Sequence, residues 1–319
     1  MMVQMRRLGK TDILVSPIGL GVMEFAGGGG LIGHMFPVIP QEEKNAIIKA
    51  ALDGGINWFD SAEAYGAGVS ERSLAIALKA AGKSGKDVSI ATKWLPFLRT
   101  AGNIPHSIKN RLKNLDGYSI ANYMVHQPYS FSSPEAEMNA MADLVEAGKI
   151  HSVGVSNFNP VRMRRVHAAL AKRGLPLAVN QVRYSLLSRE IERNGILETA
   201  KELGVMIIAY TPLASGLLSG KYHKNPELLK RISGWRKASM QRNLERSRKL
   251  INAMDEIATA SGATIAQVAL NWLINYNGED VVTIPGATKV RQAEENAGAM
   301  NLRLSDDEIA RLDDLSMKL

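Results

Sequence analysis

The chain has 319 residues, of which 45% are hydrophobic and 22% are charged, which is ordinary globular usage and excludes a disordered protein. It contains no cysteine, so disulfides, thiolate metal sites and cysteine nucleophiles are excluded. No run of about 18 apolar residues occurs and the first residues lack the apolar core of a signal peptide, so we expect a cytoplasmic protein without membrane insertion.

The positive charge of the chain is concentrated in one segment. The formal net charge is +8, and residues 230–249 hold eight basic residues against one acidic residue, a net of +7. A basic segment can bind nucleic acid or an anionic cofactor, or it can simply face solvent. Trp235 is the only aromatic residue in this segment, so the stacking surface of a nucleic-acid site is missing. We therefore expect an anionic cofactor and no nucleic-acid partner.

Short extended pieces open the chain and then recur along it. The first two surround a Gly-Lys-Thr-Asp turn at residues 9–12, which predicts a β-hairpin. Eight apolar runs of strand length follow, at residues 18–22, 56–59, 88–91, 121–125, 152–155, 177–179, 205–209 and 281–284. Their usual separation of about 25 to 40 residues leaves room for a helix between consecutive parallel strands.

Helical patterns with start and stop signals lie between these runs. The start signals are residues 40–43, Ser70, Ser133-Pro134 and Asn159-Pro160, and the stop signals are Gly54, Gly148 and Gly204. One long gap, residues 210–280, holds the basic segment and two helical patterns at about 247–260 and 264–275, so we interpret it as an insertion above the sheet. A last helix begins at Ser305, with Glu308 completing a capping box.

Eight βα units in series favour a closed barrel over an open doubly wound sheet, which more often breaks into two halves. We predict an α/β fold, a (β/α)8 TIM barrel, formed by residues 1–319 as one domain. The hairpin precedes the barrel and the last helix packs against its outside. In such a barrel the carboxyl ends of the strands build the active site.

Titratable side chains follow three consecutive runs. Asp60 ends the second run with Tyr65 in the loop behind it, and Lys93 and His126 follow the third and fourth runs. A phenol has a pKa of about 10, which a nearby ammonium lowers, while a carboxylate keeps that ammonium charged. We therefore interpret Tyr65 as an acid tuned by Lys93 and Asp60, with His126 bonded to the same substrate oxygen. Singly, each residue has an ordinary structural explanation, as a cap, a loop aromatic, a surface lysine or a core histidine.

Six motifs stand in order along the chain. They are Asp60-Ser61-Ala62-Glu63-Ala64-Tyr65-Gly66, Thr92-Lys93, Tyr123-Met124-Val125-His126, Gly154-Val155-Ser156-Asn157-Phe158, Asn180-Gln181-Val182-Arg183-Tyr184-Ser185 and Ile284-Pro285-Gly286-Ala287. In order and spacing they resemble the aldo-keto reductase family, from about Leu8 to Leu315, and especially the branch of bacterial reductases and potassium-channel β subunits. The resemblance implies a barrel that binds NADP(H) without a Rossmann fold. It also implies that Tyr65 is the general acid, tuned by Lys93 and Asp60, and that His126 orients the carbonyl.

The same resemblance implies which residues hold the cofactor. Ser156, Asn157 and Gln181 would hold the nicotinamide carboxamide, and Tyr210 would stack on its ring. The loop over the pyrophosphate would comprise Leu213, Gly216, Leu218, Gly220 and Lys221, and the adenosine end would be held by Ile284, Gly286, Thr288, Gln292, Glu295 and Asn296. Gln292 stands where other branches place an arginine for the 2′-phosphate. Because Lys289 and Arg291 flank it, we expect NADPH to be preferred over NADH.

We expect an enzyme of the carbonyl reductase or alcohol dehydrogenase type that reduces small aldehydes or ketones to alcohols. Phe25, Trp94 and Tyr129 are expected to line the substrate pocket, and the glycines at 27–30 form either a lid or a plain surface loop. No two histidines have metal-ligand spacing, so no metal is expected. Two alternatives stay open: a nucleotide-sensing regulatory subunit with slow or vestigial turnover, and a barrel lyase or isomerase acting on phosphorylated sugars.

Overall fold

The computed structural model describes residues 3–29, 33, 37–231 and 234–319, with the side chains of 231 and 234–239 left out. Two short antiparallel strands open it, β1 (Arg6–Arg7) and β2 (Leu14–Val15). Eight parallel strands follow: β3 (Leu20–Gly21), β4 (Trp58–Asp60), β5 (Ser89–Trp94), β6 (Asn122–Val125), β7 (Val153–Ser156), β8 (Leu177–Arg183), β9 (Met206–Tyr210) and β10 (Val281–Thr283). Each of the eight overlaps one predicted apolar run.

The eight strands form a closed cylinder. Neighbours from β3 to β10 pair in chain order and in parallel. The bridges Ile18 to Thr283 and Gly21 to Gly286 then join the first strand to the last. The predicted (β/α)8 barrel is confirmed. Because the sheet formed by the described residues has no free edge strand, the alternative of an open doubly wound sheet is wrong.

Twelve α-helices lie in the described residues. They are α1 (Gln41–Asp53), α2 (Val69–Ala80), α3 (Ile104–Leu115), α4 (Pro134–Glu146), α5 (Pro160–Ala171), α6 (Ile196–Leu203), α7 (Lys221–Lys224), α8 (Gly234–Arg246), α9 (Arg248–Ser261), α10 (Ile265–Asn275), α11 (Val290–Gly298) and α12 (Asp306–Met317). The predicted caps Ser133, Asn159 and Ser305 each accept a hydrogen bond from the first helical turn. Ser70 is not a cap, since α2 starts after Gly68 and the Ser70 hydroxyl donates to the Val22 carbonyl instead, at 2.6 Å.

Apolar side chains fill two layers, one between strands and helices and one inside the barrel. The inner cluster comprises Leu8, Val15, Trp58, Ala91, Met124, Ala178, Val179, Met206, Ile208, Val282 and Ile284. Leu8 and Val15 belong to the hairpin, which therefore plugs the amino end of the barrel. Arg6 fixes the hairpin there, because its guanidinium donates to the carbonyls of Val281 and Ile274, both at 2.5 Å.

The last helix packs outside the barrel, as predicted. Leu312 of α12 is fully buried, and the Ser316 hydroxyl donates to the Leu186 carbonyl at 2.6 Å. Arg189, which is also buried, pairs with Asp313 of α12 at 2.5 Å and lies 5.0 Å from the ring centroid of Trp272 in α10. These contacts connect α12 to α10 and to the loop after β8.

The segment between β9 and β10 contains α7 to α10, so the predicted insertion is present. It includes the basic residues, of which Lys230 pairs with Glu227 and several others lie outside the described side chains. Within the described residues no single helix is long and apolar enough to cross a membrane; only α9 and α10, bent by 98°, pass that test when counted together. Helix α10 is largely buried in the protein, and α9 buries one face.

Candidate active site

Strand alternation places the polar side chains inside the barrel mouth. Successive residues of a strand point to opposite faces, so residues two apart share a face. Trp58, Ala91, Met124 and Val179 all belong to the inner cluster. The residues two positions further on are Asp60, Lys93, His126 and Gln181. Asp60, Lys93 and Gln181 are buried, and they extend the apolar interior into a polar layer at the carboxyl end.

Asp60 and Lys93 form a buried ion pair. The Lys93 ammonium lies 2.5 Å from one carboxylate oxygen of Asp60 and donates to the Ser61 carbonyl at 2.8 Å. The other carboxylate oxygen accepts a hydrogen bond from the Gln181 amide at 2.9 Å. Burial lowers the pKa of Lys93, and Asp60 opposes that shift. The carboxylate thus favours the charged lysine and links it to strand β8.

Tyr65 faces this pair. Its ring centroid lies 5.1 Å from the Lys93 ammonium and 5.7 Å from the His126 ring, which meets it edge-on. Burial raises the pKa of Tyr65 well above 10, and the negative charges of Asp60 and Glu24 raise it further. The net shift is therefore opposite to the lowering that the nearby Lys93 ammonium was expected to produce, because desolvation of the phenolate is the largest cause. The phenol is protonated at neutral pH and can donate a proton.

His126 is neutral in this site. Burial, helped by the positive charge of Lys93, lowers its pKa to about 3. Its Nδ1 atom is buried and has no hydrogen-bond partner within the described part of the chain. A buried ring nitrogen without a partner is costly unless a ligand completes it. A neutral imidazole beside a phenol can donate a hydrogen bond to a carbonyl oxygen, but it is a poor proton donor at neutral pH.

A second polar group lies beside the first, at the ends of β7, β8 and β9. The Ser156 hydroxyl donates to the Gln181 carbonyl at 3.0 Å, and the Asn157 amide donates to the Ser156 hydroxyl at 3.1 Å. The Tyr210 hydroxyl donates to the Asn157 side-chain oxygen at 3.0 Å. Since the Gln181 amide also binds Asp60, the predicted nicotinamide residues are joined to Asp60 and Lys93 in one hydrogen-bonded unit.

The loop after β9 has an unusual backbone. Thr211, Ala214, Ser215, Gly216 and Gly220 all have positive φ values between 48° and 89°. Successive left-handed residues are a feature of backbone anion sites. Here the N–H groups of Ala214, Gly216 and Gly220 donate to backbone carbonyls of the loop, so the charge that the loop offers an anion is the ammonium of Lys221. A Cβ atom on Gly216 would lie 2.9 Å from the Lys221 ammonium, so the glycine leaves room for that charge.

Two leucines predicted for this loop differ in exposure. Leu218 is fully buried, so only its backbone can face a ligand, whereas Leu213 is half-buried and its carbonyl accepts the N–H groups of Gly216 and Leu218. Leu213 therefore also shapes the tight turn of the loop.

The residues predicted to hold the adenosine end, after β10, form hydrogen bonds and ion pairs among themselves. The Gln292 side-chain oxygen accepts from the Thr288 N–H at 2.7 Å, and the Asn296 amide donates to the Gly286 carbonyl at 3.3 Å. Lys289 pairs with Glu43 of α1 at 2.7 Å. Arg291 pairs with Glu295 at 2.8 Å, and Ile284 lies in the inner cluster. Apart from Ile284, whose side chain lies inside the barrel, the predicted adenosine residues therefore lie together on one ledge between α1 and α11.

The chain as a whole matches a known family. A family model described as the Aldo/keto reductase family matches residues 17–317. The chain belongs to the aldo-keto reductase family. It is therefore an oxidoreductase, and the resemblance inferred from the six motifs is confirmed.

Individual relatives agree with this assignment. The chain is 33% identical to a chloroplastic pyridoxal reductase of Arabidopsis thaliana over 94% of this chain and 82% of that protein. It is 32% identical to an NADP(+) aldo-keto reductase of Schizosaccharomyces pombe, over 96% and 89% of the two chains. A crystal structure of a Klebsiella pneumoniae aldo-keto reductase in complex with NADPH superposes with a TM-score of 0.75 at 26% identity, covering 98% and 95% of the two chains.

Two residues predicted for the substrate wall of this aldo-keto reductase lie elsewhere. Trp94 has no exposed surface, because it follows the inward Lys93 and so points to the helix layer, where its indole binds Asn103 at 3.0 Å. Phe25 is also fully buried in the outer core. Both predictions are wrong, since a side chain without exposed surface cannot line a pocket.

The exposed apolar side chains of the rim lie on the loops after β5 and β6. They are Phe97, Leu98, Tyr129 and Phe131, with exposed fractions between 66% and 72%. Of the three residues predicted to line the substrate pocket, only Tyr129 has an exposed side chain that a substrate can contact. Of the predicted glycine loop at 27–30, Gly30 lies outside the described residues.

A buried ion network beneath the reductase site was not predicted. Glu63 accepts from Arg99 at 2.8 Å and lies 3.7 Å from Arg111. Arg111 in turn lies 3.1 Å from Glu71, which accepts from the Thr92 hydroxyl at 2.7 Å. Glu63 precedes the catalytic tyrosine candidate by two residues, and Thr92 precedes the lysine by one. The network therefore ties the Tyr65 loop to the Lys93 strand.

Glu24 is a further acidic residue near the site that motif reasoning missed, although its negative charge acts on Tyr65. The only sequence signal was an acid in the apolar stretch directly after the first barrel strand.

Proposed function

We propose that the protein, as one domain of residues 1–319, reduces aldehydes or ketones to alcohols with NADP(H) as cofactor. The observation that carries the proposal is the group in the barrel mouth, where a protonated Tyr65 and a neutral His126 face the buried pair of Asp60 and Lys93. One proton donor, one neutral hydrogen-bond donor and one fixed positive charge suit the developing oxyanion of a carbonyl.

Tyr65 gives its proton to the carbonyl oxygen as the carbon–oxygen double bond becomes a single bond. Lys93 stabilises the tyrosinate that this transfer leaves, and Asp60 keeps Lys93 charged in its buried position. His126 donates a hydrogen bond that holds the carbonyl oxygen near the phenol. Each residue thus acts on the same oxygen or on the group that protonates it.

The cofactor supplies the hydride that reaches the carbonyl carbon. Ser156, Asn157 and Gln181 provide the polar contacts for a carboxamide, and Tyr210 provides a ring beside them. The left-handed loop and Lys221 fit a pyrophosphate. These three features suit a dinucleotide with an amide at one end, which supports NADP(H) as the cofactor.

We further propose that NADPH is preferred over NADH. The Klebsiella neighbour was solved with NADPH, and the cations of this ledge, Lys289 and Arg291, are held by Glu43 and Glu295 on the protein surface. Exposed ion pairs of this kind are worth little, so either cation can exchange its acid for a 2′-phosphate at small cost.

The substrate is a small carbonyl compound that approaches past Phe97, Leu98, Tyr129 and Phe131. An apolar or aromatic body suits this rim. Because one relative is named a pyridoxal reductase, pyridoxal-type aldehydes belong in the substrate panel with aliphatic, aromatic and sugar aldehydes.

Changing Tyr65 to Phe removes the proton donor and leaves the ring in place. We expect kcat to fall by at least about 100-fold, as for the loss of a general acid, while the Kd for NADPH stays within about twofold of wild type. NADPH oxidation across the panel and NADPH fluorescence titration measure the two quantities.

Tyr118→Phe is the matched control, since it removes the same hydroxyl from a tyrosine that lies before β6, where it donates to the Lys83 carbonyl at 2.6 Å, and it should keep the wild-type kcat. Full activity of Tyr65→Phe would contradict the assignment. Very slow NADPH oxidation by the wild type on every carbonyl, with tight cofactor retention, would favour the nucleotide-sensing alternative.

A further inference from the structure

Glu63 holds the loop that follows β5 at two points. One carboxylate oxygen accepts from the Leu95 N–H at 3.0 Å and from the Ser107 hydroxyl at 3.2 Å. The other oxygen accepts from the guanidinium of Arg99 at 2.8 Å. Leu95 and Arg99 stand on either side of the exposed Phe97, which belongs to the rim. The carboxylate therefore fixes both ends of this part of the rim.

The loop needs such support because one of its residues has an unfavourable backbone conformation. Leu98 has φ of 56°, in the left-handed region that a residue with a Cβ atom rarely adopts. A residue stays in this region only where its surroundings hold it. The Leu98 side chain is 66% exposed, so its own packing contributes little. The contacts that Leu95 and Arg99 make with Glu63 therefore hold the loop in this conformation.

Arg99 extends this support to the second loop of the rim. Its carbonyl accepts from the Phe131 N–H at 2.9 Å, so the loops after β5 and β6 are joined at this residue. Within the described residues its guanidinium has no acidic partner other than Glu63. Arg111 also lies near Glu63, at 3.7 Å, but it has Glu71 as a nearer partner at 3.1 Å. Loss of the Glu63 charge would therefore free Arg99 and leave Arg111 paired.

The backbone of Glu63 belongs to the same frame as the catalytic candidates. Its N–H donates to the Lys93 carbonyl at 3.1 Å, and Tyr65 follows it by two residues. Fully exposed ion pairs contribute little, but here the Glu63 side chain is 15% exposed and the Arg99 side chain 34%. The pair is reinforced by the backbone hydrogen bond from Leu95. Glu63 thus fixes the rim relative to Tyr65.

We propose that Glu63, acting through Arg99, is a positioning residue that sets where the substrate wall stands in the barrel mouth. The inference rests on the proposed function, since it needs a carbonyl compound that passes the rim. A large body that contacts Phe97 binds well when the loop is already held, because ordering a mobile side chain on binding costs free energy. A short aldehyde does not reach the rim. Glu63 therefore favours carbonyl compounds with a large apolar or aromatic body.

Two variants break the pair from opposite sides. Glu63→Gln keeps the shape and one oxygen for the Leu95 N–H but leaves Arg99 without a carboxylate, and Arg99→Met removes the cation. Each variant should raise the KM for naphthaldehyde about fivefold, while the KM for propanal and both kcat values stay within about twofold of wild type. A general loss of structure would instead lower kcat for both aldehydes. Steady-state NADPH oxidation measures these constants.

Three further variants make the test specific. The double variant should raise the KM for naphthaldehyde no more than either single change, since both break one contact. Arg99→Lys keeps the ion pair and should restore the KM to within about twofold of wild type. Arg173→Met is the matched control, because the Arg173 side chain is 28% exposed and pairs with Glu146 at 2.6 Å near the start of β8, at the opposite end of the barrel. It should match wild type with both aldehydes.

Limited proteolysis tests the hold on the loop without any turnover. Trypsin cleaves after Arg99 when this loop leaves its folded conformation. Glu63→Gln should be cleaved there at least about fivefold faster than wild type, as mapped by mass spectrometry. Glu146→Gln, which removes the acid of the control pair, should be cleaved at Arg99 like wild type.

The outcomes are distinguishable. If the wild type reduces no carbonyl compound, the proposed function fails and the substrate role of Glu63 fails with it. If the wild type is active and both single variants keep its KM for naphthaldehyde, only this inference is overturned. An equal rise in KM for both aldehydes with a lower kcat also overturns it, because Glu63 would then have a general structural role. Arg99 is one-third exposed, so Arg99→Met decides the question even where Glu63→Gln fails to fold.

Discussion

His126 makes the stability of the protein depend on pH. Its pKa of about 3 lies below the ordinary value of 6.5. Between these pH values His126 is therefore protonated in the unfolded chain and neutral in the folded protein. Stability is therefore complete above about pH 6.5 and falls as the pH drops toward 3. At pH 5 the loss amounts to about 2 kcal/mol.

A His126→Gln variant should lack this loss. Between pH 7.5 and 5, wild type should lose about 2 kcal/mol more unfolding free energy in urea titrations than the variant does. Glu24 has its pKa raised by burial and so stabilises the fold at low pH, but it is present in both proteins and cancels in the comparison. His151→Gln, at an exposed position, should follow wild type. Parallel pH curves for wild type and His126→Gln would contradict the burial argument.

At the residue scale, the sequence identified the side chains whose chemistry is unusual for their position. Asp60 and Lys93 follow apolar strand residues, so their inward direction could be inferred from strand alternation. Trp94 was wrongly assigned to the substrate pocket because it is aromatic, although the same alternation places its side chain on the outer face of the strand, where it is fully buried. Glu24 could not be found, since its carboxylate lies against Gly286, which is more than 250 residues away in the chain.

At the scale of elements, the loop from Leu213 to Lys221 is the most specialised. Gly216 has φ of 89° and lies against the Lys221 ammonium, so Gly216→Ala strains the backbone and displaces the charge. We expect the Kd for NADPH to rise roughly five- to tenfold, equivalent to about 1–1.4 kcal/mol. Fluorescence titration with NADPH measures this change.

Gly117→Ala is the matched control for that loop. Gly117 has φ of 96° with nothing within 4 Å of an added Cβ atom, so its variant suffers the backbone strain alone. It should lower the melting temperature without changing the Kd for NADPH. A wild-type Kd for Gly216→Ala as well would contradict the role of this glycine in binding.

Elements were predictable where a local signal specifies them. Ser133, Asn159 and Ser305 cap helices because each stands before a turn whose free N–H groups need an acceptor. Ser70 carried the same signal and failed, because its hydroxyl is taken by the Val22 carbonyl, 48 residues away in the chain. Long-range partners of this kind are invisible in a local pattern, as is the network around Arg111.

At the scale of the whole molecule, the hairpin closes the end of the barrel opposite the site. Leu8 is 3% exposed within the inner cluster, so Leu8→Ala should lower the unfolding free energy by about 2–5 kcal/mol. Because Tyr65 lies at the other end, kcat should not change. Urea unfolding and NADPH oxidation provide the two measurements.

Leu14→Ala makes the same substitution in the same hairpin at a half-exposed position and should cost no more than about 0.5 kcal/mol. A loss of kcat in Leu8→Ala would mean that the plug influences the distant mouth. The closed barrel itself was predictable, since eight regularly spaced apolar runs leave few other arrangements, whereas the seam pairing of Gly21 with Gly286 was not.

The exposed rim and the buried ion pair lie on different kinds of element, which bears on how the substrate range can evolve. Asp60 and Lys93 are held by strands, whereas Phe97 and Phe131 lie on two loops joined by one backbone hydrogen bond, from the Phe131 N–H to the Arg99 carbonyl at 2.9 Å. Loops tolerate replacement and strands do not. Under the proposed function, the reaction chemistry and the substrate choice therefore depend on separate parts of the chain, so grafting both loops as a unit from a relative is expected to change the substrate range.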